Sequence, residues 1–119
     1  MDIDESINRA TKLIQQSQLA EAAEILCDCL IKAPSNAMVH NLLGVVRLQT
    51  EYFGEARDCF QTAASLAQNN PHFHSNLGSA CLKLNRLDEA VAAFRTAREL
   101  APGQMEFTRN LIIGLQNKG

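Results

Sequence analysis

A fixed offset of 34 residues superimposes two long stretches of this 119-residue chain, and nothing else in the sequence restricts the fold as tightly. Sliding residues 37–70 onto 71–104 pairs His40 with His74, Leu43 and Gly44 with Leu77 and Gly78, and Leu48 with Leu82. The match continues with Glu55 and Ala56 on Glu89 and Ala90, Phe60 on Phe94, Thr62 and Ala63 on Thr96 and Ala97, and Leu66 and Ala67 on Leu100 and Ala101. That makes 11 identities in 34 positions. A looser copy occupies 3–36 through Ala10, Leu19, Glu21, Ala22, Leu26, Cys29, Ala33 and Pro34, and half a copy follows at 105–117. One domain, 1–119, built of three units and a half is the expectation.

Each unit reads as two helices, because apolar and small residues recur at three, four and seven. Ala56, Phe60 and Ala63 make one such stripe; Ala90, Phe94 and Ala97 make its copy. Gly44 and Gly78 fall inside first helices, where glycine costs about 1 kcal/mol against alanine, so their recurrence points to a close helix crossing. Ala10 takes that place in the first unit. Asn70–Pro71 reads as an N-cap followed by proline in the first turn, and Pro34 and Pro102 sit just past the ends of second helices. The spacing predicts seven helices, near 3–16, 19–32, 37–50, 53–67, 71–84, 87–100 and 104–117, in an all-α, right-handed solenoid whose last helix is a half-repeat or cap.

The period with Leu-Gly, then Ala, Phe, Ala and a closing Pro resembles the tetratricopeptide repeat, most fully in PHFHSNLGSACLKLNRLDEAVAAFRTARELAPG. Arg9 departs from the pattern in the first unit, and Ser6, His40, His74 and Thr108 replace the bulky aromatic common near the start of such repeats. HNLLGVVRLQ and PHFHSNLGSACLKLNRLDEA are also similar to repeat segments preceding catalytic domains in bacterial sulfotransferases and O-linked N-acetylglucosamine transferase-type glycosyltransferases. No residue of this chain can be matched to their catalytic roles.

In a stack of this kind the first helices of successive units line the concave surface, so the side chains opposite the Leu-Gly face are the candidate groove. They are Asp4, Ile7, Asn8, Thr11 and Ile14, then Met38, Asn41, Val45 and Leu48. The row goes on with His72, Ser75, Asn76, Ser79, Leu82 and Lys83, and ends with Glu106, Arg109, Asn110 and Ile113. Asn8, Asn76 and Asn110 are in register, with Leu42 interrupting the row and Asn41 beside it. An amide offers donor and acceptor together, so such a ladder can hold the backbone of an extended peptide without reading its side chains. The resemblance to the transferases implies the same use; the alternative is that each Asn bonds a neighbour or solvates its helix. Some members of the repeat family grip acidic chaperone tails with a Lys, Arg and Asn clamp, and here Ile7, Thr11, Leu42, His72 and Asn76 stand in its places, so that clamp is missing.

Composition narrows the rest. A net charge of −2 with scattered Lys and Arg disfavours nucleic acid, and no signal peptide or membrane-spanning segment is visible. Cys27, Cys29, Cys59 and Cys81 include no Cys-x-x-Cys pair, and Cys27 with Cys29, like His72 with His74, are two apart, about 200° around a helix. No metal site or cofactor is expected, and the thiols fit a reducing, cytoplasmic setting. His40 and His74 are repeat equivalents and read as partly buried packing residues rather than acid–base catalysts; with no phosphate loop or activated nucleophile, the chain does not read as an enzyme.

Three functions are compatible with this pattern: an adaptor holding a peptide or partner protein in the groove, a self-assembling scaffold, or a substrate-docking arm of a larger transferase. For the second, Ile112 and Leu115 on the final helix are the candidate contacts of a weak homodimer, since they cannot face the third unit together with Met105 and Leu111.

Overall fold

The computed structural model describes residues 1–119 as seven helices and no strand: α1 (Ile3–Gln15), α2 (Leu19–Lys32), α3 (Ala37–Gln49), α4 (Phe53–Leu66), α5 (Pro71–Lys83), α6 (Leu87–Leu100) and α7 (Met105–Lys118). These bounds fall within one residue of those expected. A 14-residue helix is about 21 Å long. That matches the two short dimensions of the 45 × 26 × 23 Å molecule, so the long one is the stacking direction.

Side-chain caps mark the starts of α1, α3 and α5. Asp2 accepts from Glu5 N at 2.8 Å, Asn36 from Val39 N at 3.1 Å, and Asn70 from His72 N at 3.0 Å with Pro71 in the first turn. The turn inside each repeat is equally regular. Ser17, Glu51 and Asn85, 34 residues apart, hold φ of 60°, 65° and 59°. Their N–H groups bond back to Ile14, Leu48 and Leu82, while the next N–H reaches Leu13, Arg47 and Cys81, which closes the last carbonyls of α1, α3 and α5.

Within a repeat the two helices close on one size rule. A Cβ built on Gly44 would lie 2.6 Å from Phe60 Cε1, and one on Gly78 2.5 Å from Phe94 Cε1. Both rings are almost wholly buried. In the first repeat the same crossing is made by Ala10 and Leu26, a larger residue against a smaller one. On α7 the equivalent position is Ile112, which is exposed. A branched side chain there would clash with a phenylalanine placed as Phe60 is against Gly44.

Between repeats, Val39, Phe73 and Phe107 are buried against the unit before them. Their equivalent on α1 is Glu5, and Asn8 and Lys12 complete an exposed, polar outer face on that helix. The two ends of the stack therefore differ: polar at α1, partly apolar at α7, where Met105, Ile112 and Leu115 are 68%, 48% and 44% exposed.

The curvature follows from which helices meet. The backbones of α1, α3, α5 and α7 approach one another in succession, while those of α2, α4 and α6 stand farther apart and α4 meets α6 through side chains. The closely spaced layer is the inner, concave one, and the outer helices are more widely spaced.

Candidate functional site

The concave layer carries every residue expected to line the groove, but most of its polar groups are already committed to the fold. Asn76 Nδ2 donates to Asn41 Oδ1 at 2.9 Å, and Asn110 Nδ2 to Ser75 Oγ at 2.9 Å, each linking one repeat to the next. Asn41 and Ser75 are buried in the process. The equivalent pair at the first junction is Ile7 and Leu42, both half-buried against the core of the first two repeats. Thus two of the three junctions are tied by a diagonal amide hydrogen bond, and the first carries an apolar pair at the same places.

This corrects the ladder inferred from sequence. Asn76 and Asn110 are in register, but each is already hydrogen-bonded across a junction, so only part of its amide can face a ligand. Asn8, at the polar end, is exposed. Thr11 Oγ1 donates to Ile7 O at 2.9 Å and Ser79 Oγ to Ser75 O at 3.2 Å, so these hydroxyls are satisfied on their own helices. Val45 is half-buried against the central core. Arg109 is exposed and joins no ion pair.

What the fold does bring together lies at the C-terminal half. Ser79, Lys83 and Asn110 surround a depression of about 400 Å³ with Leu82, Ile113 and Asn117, and the Phe94 ring reaches its floor. Lys83 Nζ has no carboxylate partner and stands 6.0 Å from the Phe53 ring centroid. At the mouth of the same junction His72 packs edge-on against Phe107, centroids 5.2 Å apart, with Nδ1 3.9 Å from Glu106. At the other end a shallower depression of about 500 Å³ holds Asn8 and Thr11 with Arg9, Lys12 and Gln15. Asn117 and Phe94 were not expected in the groove. Asn117 is two helical turns beyond Asn110 on the same face and was legible; Phe94, from the outer layer, is seen only because Gly78 lets its ring through.

His40 and His74 are half-buried, and both pin the loop that enters their own repeat. Nε2 of His40 meets Pro34 O, and Nε2 of His74 meets Gln68 O, each at 2.8 Å. Away from the groove, Arg57 on α4 reaches Glu89 on α6 at 3.0 Å, with Asp58 at 3.5 Å from Arg57 and Arg86 at 3.7 Å from Glu89. The Arg57 hydrogen bond holds the Glu89 carboxyl below its ordinary range, and Glu89 raises Arg57 in turn. Burial pushes the Cys59 and Cys81 thiols up. All four cysteines are free, no group of three or more His, Cys, Asp and Glu is placed to hold a metal ion, and no helix is long and apolar enough to cross a membrane.

Solved structures share this architecture. The first repeat domain of Spaghetti (RPAP3), bound to an HSP90 peptide, superposes with a TM-score of 0.90 at 21% identity, over 96% of this chain and 90% of that one. The Thermobaculum terrenum O-GlcNAc transferase gives 0.90 at 20% identity over 95% of this chain but only 22% of its own. YrrB, described as a repeat protein with an unusual peptide-binding site, gives 0.88 at 26% identity over 99% of this chain and 61% of its own. At such identities the first two likenesses concern the fold alone. No curated protein matches the sequence. The tetratricopeptide repeat model matches residues 7–71 and 47–104, together most of the chain, so the chain belongs to the tetratricopeptide repeat family.

Proposed function

We propose that this chain is a protein-interaction module that holds an extended peptide along the C-terminal half of its concave face. The observation that carries the reading is the depression between α5 and α7. It combines an apolar pair, Leu82 and Ile113, with amides at Asn110 and Asn117 and an unpaired cation at Lys83. About 400 Å³ is at the small end of ligand-binding volumes, enough for one or two side chains of a peptide lying along the helices. An apolar residue would seat between Leu82 and Ile113, and a carboxylate on the peptide would find Lys83. That some members of the family bind chaperone peptides supports the general class. A chaperone tail is not the proposed ligand here, because the clamp residues are replaced.

Peptides selected on the whole protein from a random display library provide the test, with affinities measured by calorimetry. Ile113→Lys should weaken binding at least tenfold, about 1.4 kcal/mol. Arg95→Ala, on the exposed side of α6, should leave it unchanged; equal loss in both, or in neither, refutes the groove. Alanine at Asn76 and Asn110 is the poorer test, since it also unties the repeats. The free thiols support work in a reducing compartment, and the groove reading needs no catalytic group.

A second reading, self-association, is favoured by the exposure of Met105, Ile112 and Leu115 at the α7 end. An end-to-end polymer is not supported, because α1 presents Glu5, Asn8 and Lys12 to any apolar partner. A two-fold α7 contact stays open, but three half-exposed side chains offer far less than the about 800 Å² per partner of a stable interface. Ile112→Glu should remove any concentration dependence of the mass by light scattering; a monomer at every concentration in both forms rules the contact out.

A further inference from the structure

Repeat register sets two of the four thiols on facing walls of one seam. Between the outer helices α4 and α6, Arg57 of one wall reaches Glu89 of the other at 3.0 Å. One helical turn further along the same walls stand Gln61 and Ala93, and all four residues line a single depression. Moved back by one 34-residue period, Arg57 and Glu89 become Ala23 and Glu55, while Gln61 and Ala93 become Cys27 of α2 and Cys59 of α4. The two cysteines are the facing pair of the first seam. Their electrostatics agree with this placement: burial is the main cause that pushes the Cys59 thiol up, Arg47 pulls the other way, and Cys27 is among the neighbours that add to the rise.

The pair can be reached from solvent. Cys27 is exposed, and Cys59 is half-buried with its inner side against the apolar cluster of the first two repeats, whereas Cys29 and Cys81 are buried. A direct disulfide does not fit between them. It needs Cα atoms within about 7 Å, and no Cα of α2 comes within 8 Å of one of α4. A bridging metal ion suits the wider gap, because two metal–sulfur bonds of about 2.3 Å hold the sulfurs about 4.6 Å apart, against about 2 Å in a disulfide. The donor set then selects the ion. With no third His, Cys, Asp or Glu placed to join them, two thiols leave zinc or an iron–sulfur cluster short of its four protein ligands. Soft thiolates alone favour copper(I), for which two-coordinate geometry is sufficient. Binding releases the two thiol protons and leaves a bis-thiolate complex with one net negative charge. The Arg47 guanidinium, near enough to act on Cys59, offsets that charge.

We infer that Cys27 and Cys59 form a two-coordinate copper(I) site across the seam between α2 and α4. The site lies in the outer layer, away from the concave groove. Its ion ties the first repeat to the second, as the Arg57–Glu89 pair ties the second to the third, at a seam where Ala23 stands in the place of Arg57.

The test is an anaerobic titration of the whole reduced protein with copper(I) held in a coloured competing chelator, the bound ions being counted by native mass spectrometry. One ion per chain is expected, with two sulfur neighbours in its X-ray absorption spectrum. Cys27→Ser, at an exposed position, and Cys59→Ala should each weaken binding by about a hundredfold or more, because the second thiolate no longer acts within the same chain. Cys29→Ala should leave the affinity unchanged, and helical circular dichroism of each ion-free variant checks that the fold is kept. Gln61→Cys with Ala93→Cys copies the pair into the second seam and should raise the count to two. Undiminished affinity in either variant of the pair, equal loss in Cys29→Ala, an ion shared between two chains, or a count that stays at one in the double variant would each overturn the inference.

Discussion

Replacing Gly44 with alanine tests the packing rule from which the whole stack is built. The new Cβ would lie 2.6 and 2.7 Å from Phe60 Cε1 and Cδ1, against 3.4 Å for the start of ordinary contact. Phe60 is fully buried, so the ring has nowhere to turn without displacing its neighbours. Overpacking of this kind costs about 2–3 kcal/mol, and the better helix propensity of alanine returns about 1, leaving Gly44→Ala destabilised by about 1–2 kcal/mol. Phe60→Leu alone should cost about 1–2 kcal/mol through the space it leaves. The double variant recreates the Ala10 and Leu26 crossing of the first repeat and should return to within about 1 kcal/mol of the native chain, a coupling of about 2 kcal/mol. Urea unfolding followed by helical circular dichroism, with an unchanged denaturant slope, measures all three differences. If Gly44→Ala is as stable as the native protein, or if the two losses simply add, the size rule is wrong.

The turns, the ion pairs and the thiols give further tests. Glu51 holds φ 65° where glycine carries no steric cost, so Glu51→Gly should stabilise by about 0.5–1 kcal/mol in the same unfolding assay. Glu89 is kept below its ordinary value of 4.5 by Arg57, so its contribution is in place at neutral pH and is lost as pH falls below that ordinary value; Glu89→Gln should flatten that acid limb of the stability profile. Exposed Cys27 should react first with a thiol reagent under native conditions, Cys59 more slowly because burial raises its thiol, and buried Cys29 and Cys81 only on opening, as timed mass spectrometry would show.

The fold was legible because its rules are written in residue size and capping chemistry at one offset. Gly44 and Gly78 announced the crossing, and Asn70–Pro71 announced a helix start. The turn residues were not: of Ser17, Glu51 and Asn85 only Asn85 belongs to a type that readily takes positive φ, so the shared conformation hid behind three unlike side chains. The site was half legible. Register put Asn76 and Asn110 on the groove face, but their partners, Asn41 and Ser75, lie 35 residues back, one step off the period, and a diagonal contact across a junction cannot be read from a repeat alignment. The Arg57–Glu89 pair, 32 residues apart, escaped for the same reason. Ile112 was noticed for its hydrophobicity; only the geometry of Gly44 and Gly78 shows that it stands at the crossing position of its helix.

Mapping where a library-selected peptide sits on the nitrogen-15-labelled protein tests the central claim most directly. The groove account predicts that the largest amide shifts fall on Ser79, Lys83, Asn110, Ile113 and Asn117, and that the backbone of α2 stays unperturbed. Largest shifts on the α4–α6 seam or on the Ile112 and Leu115 face, with those five residues unmoved, would contradict it.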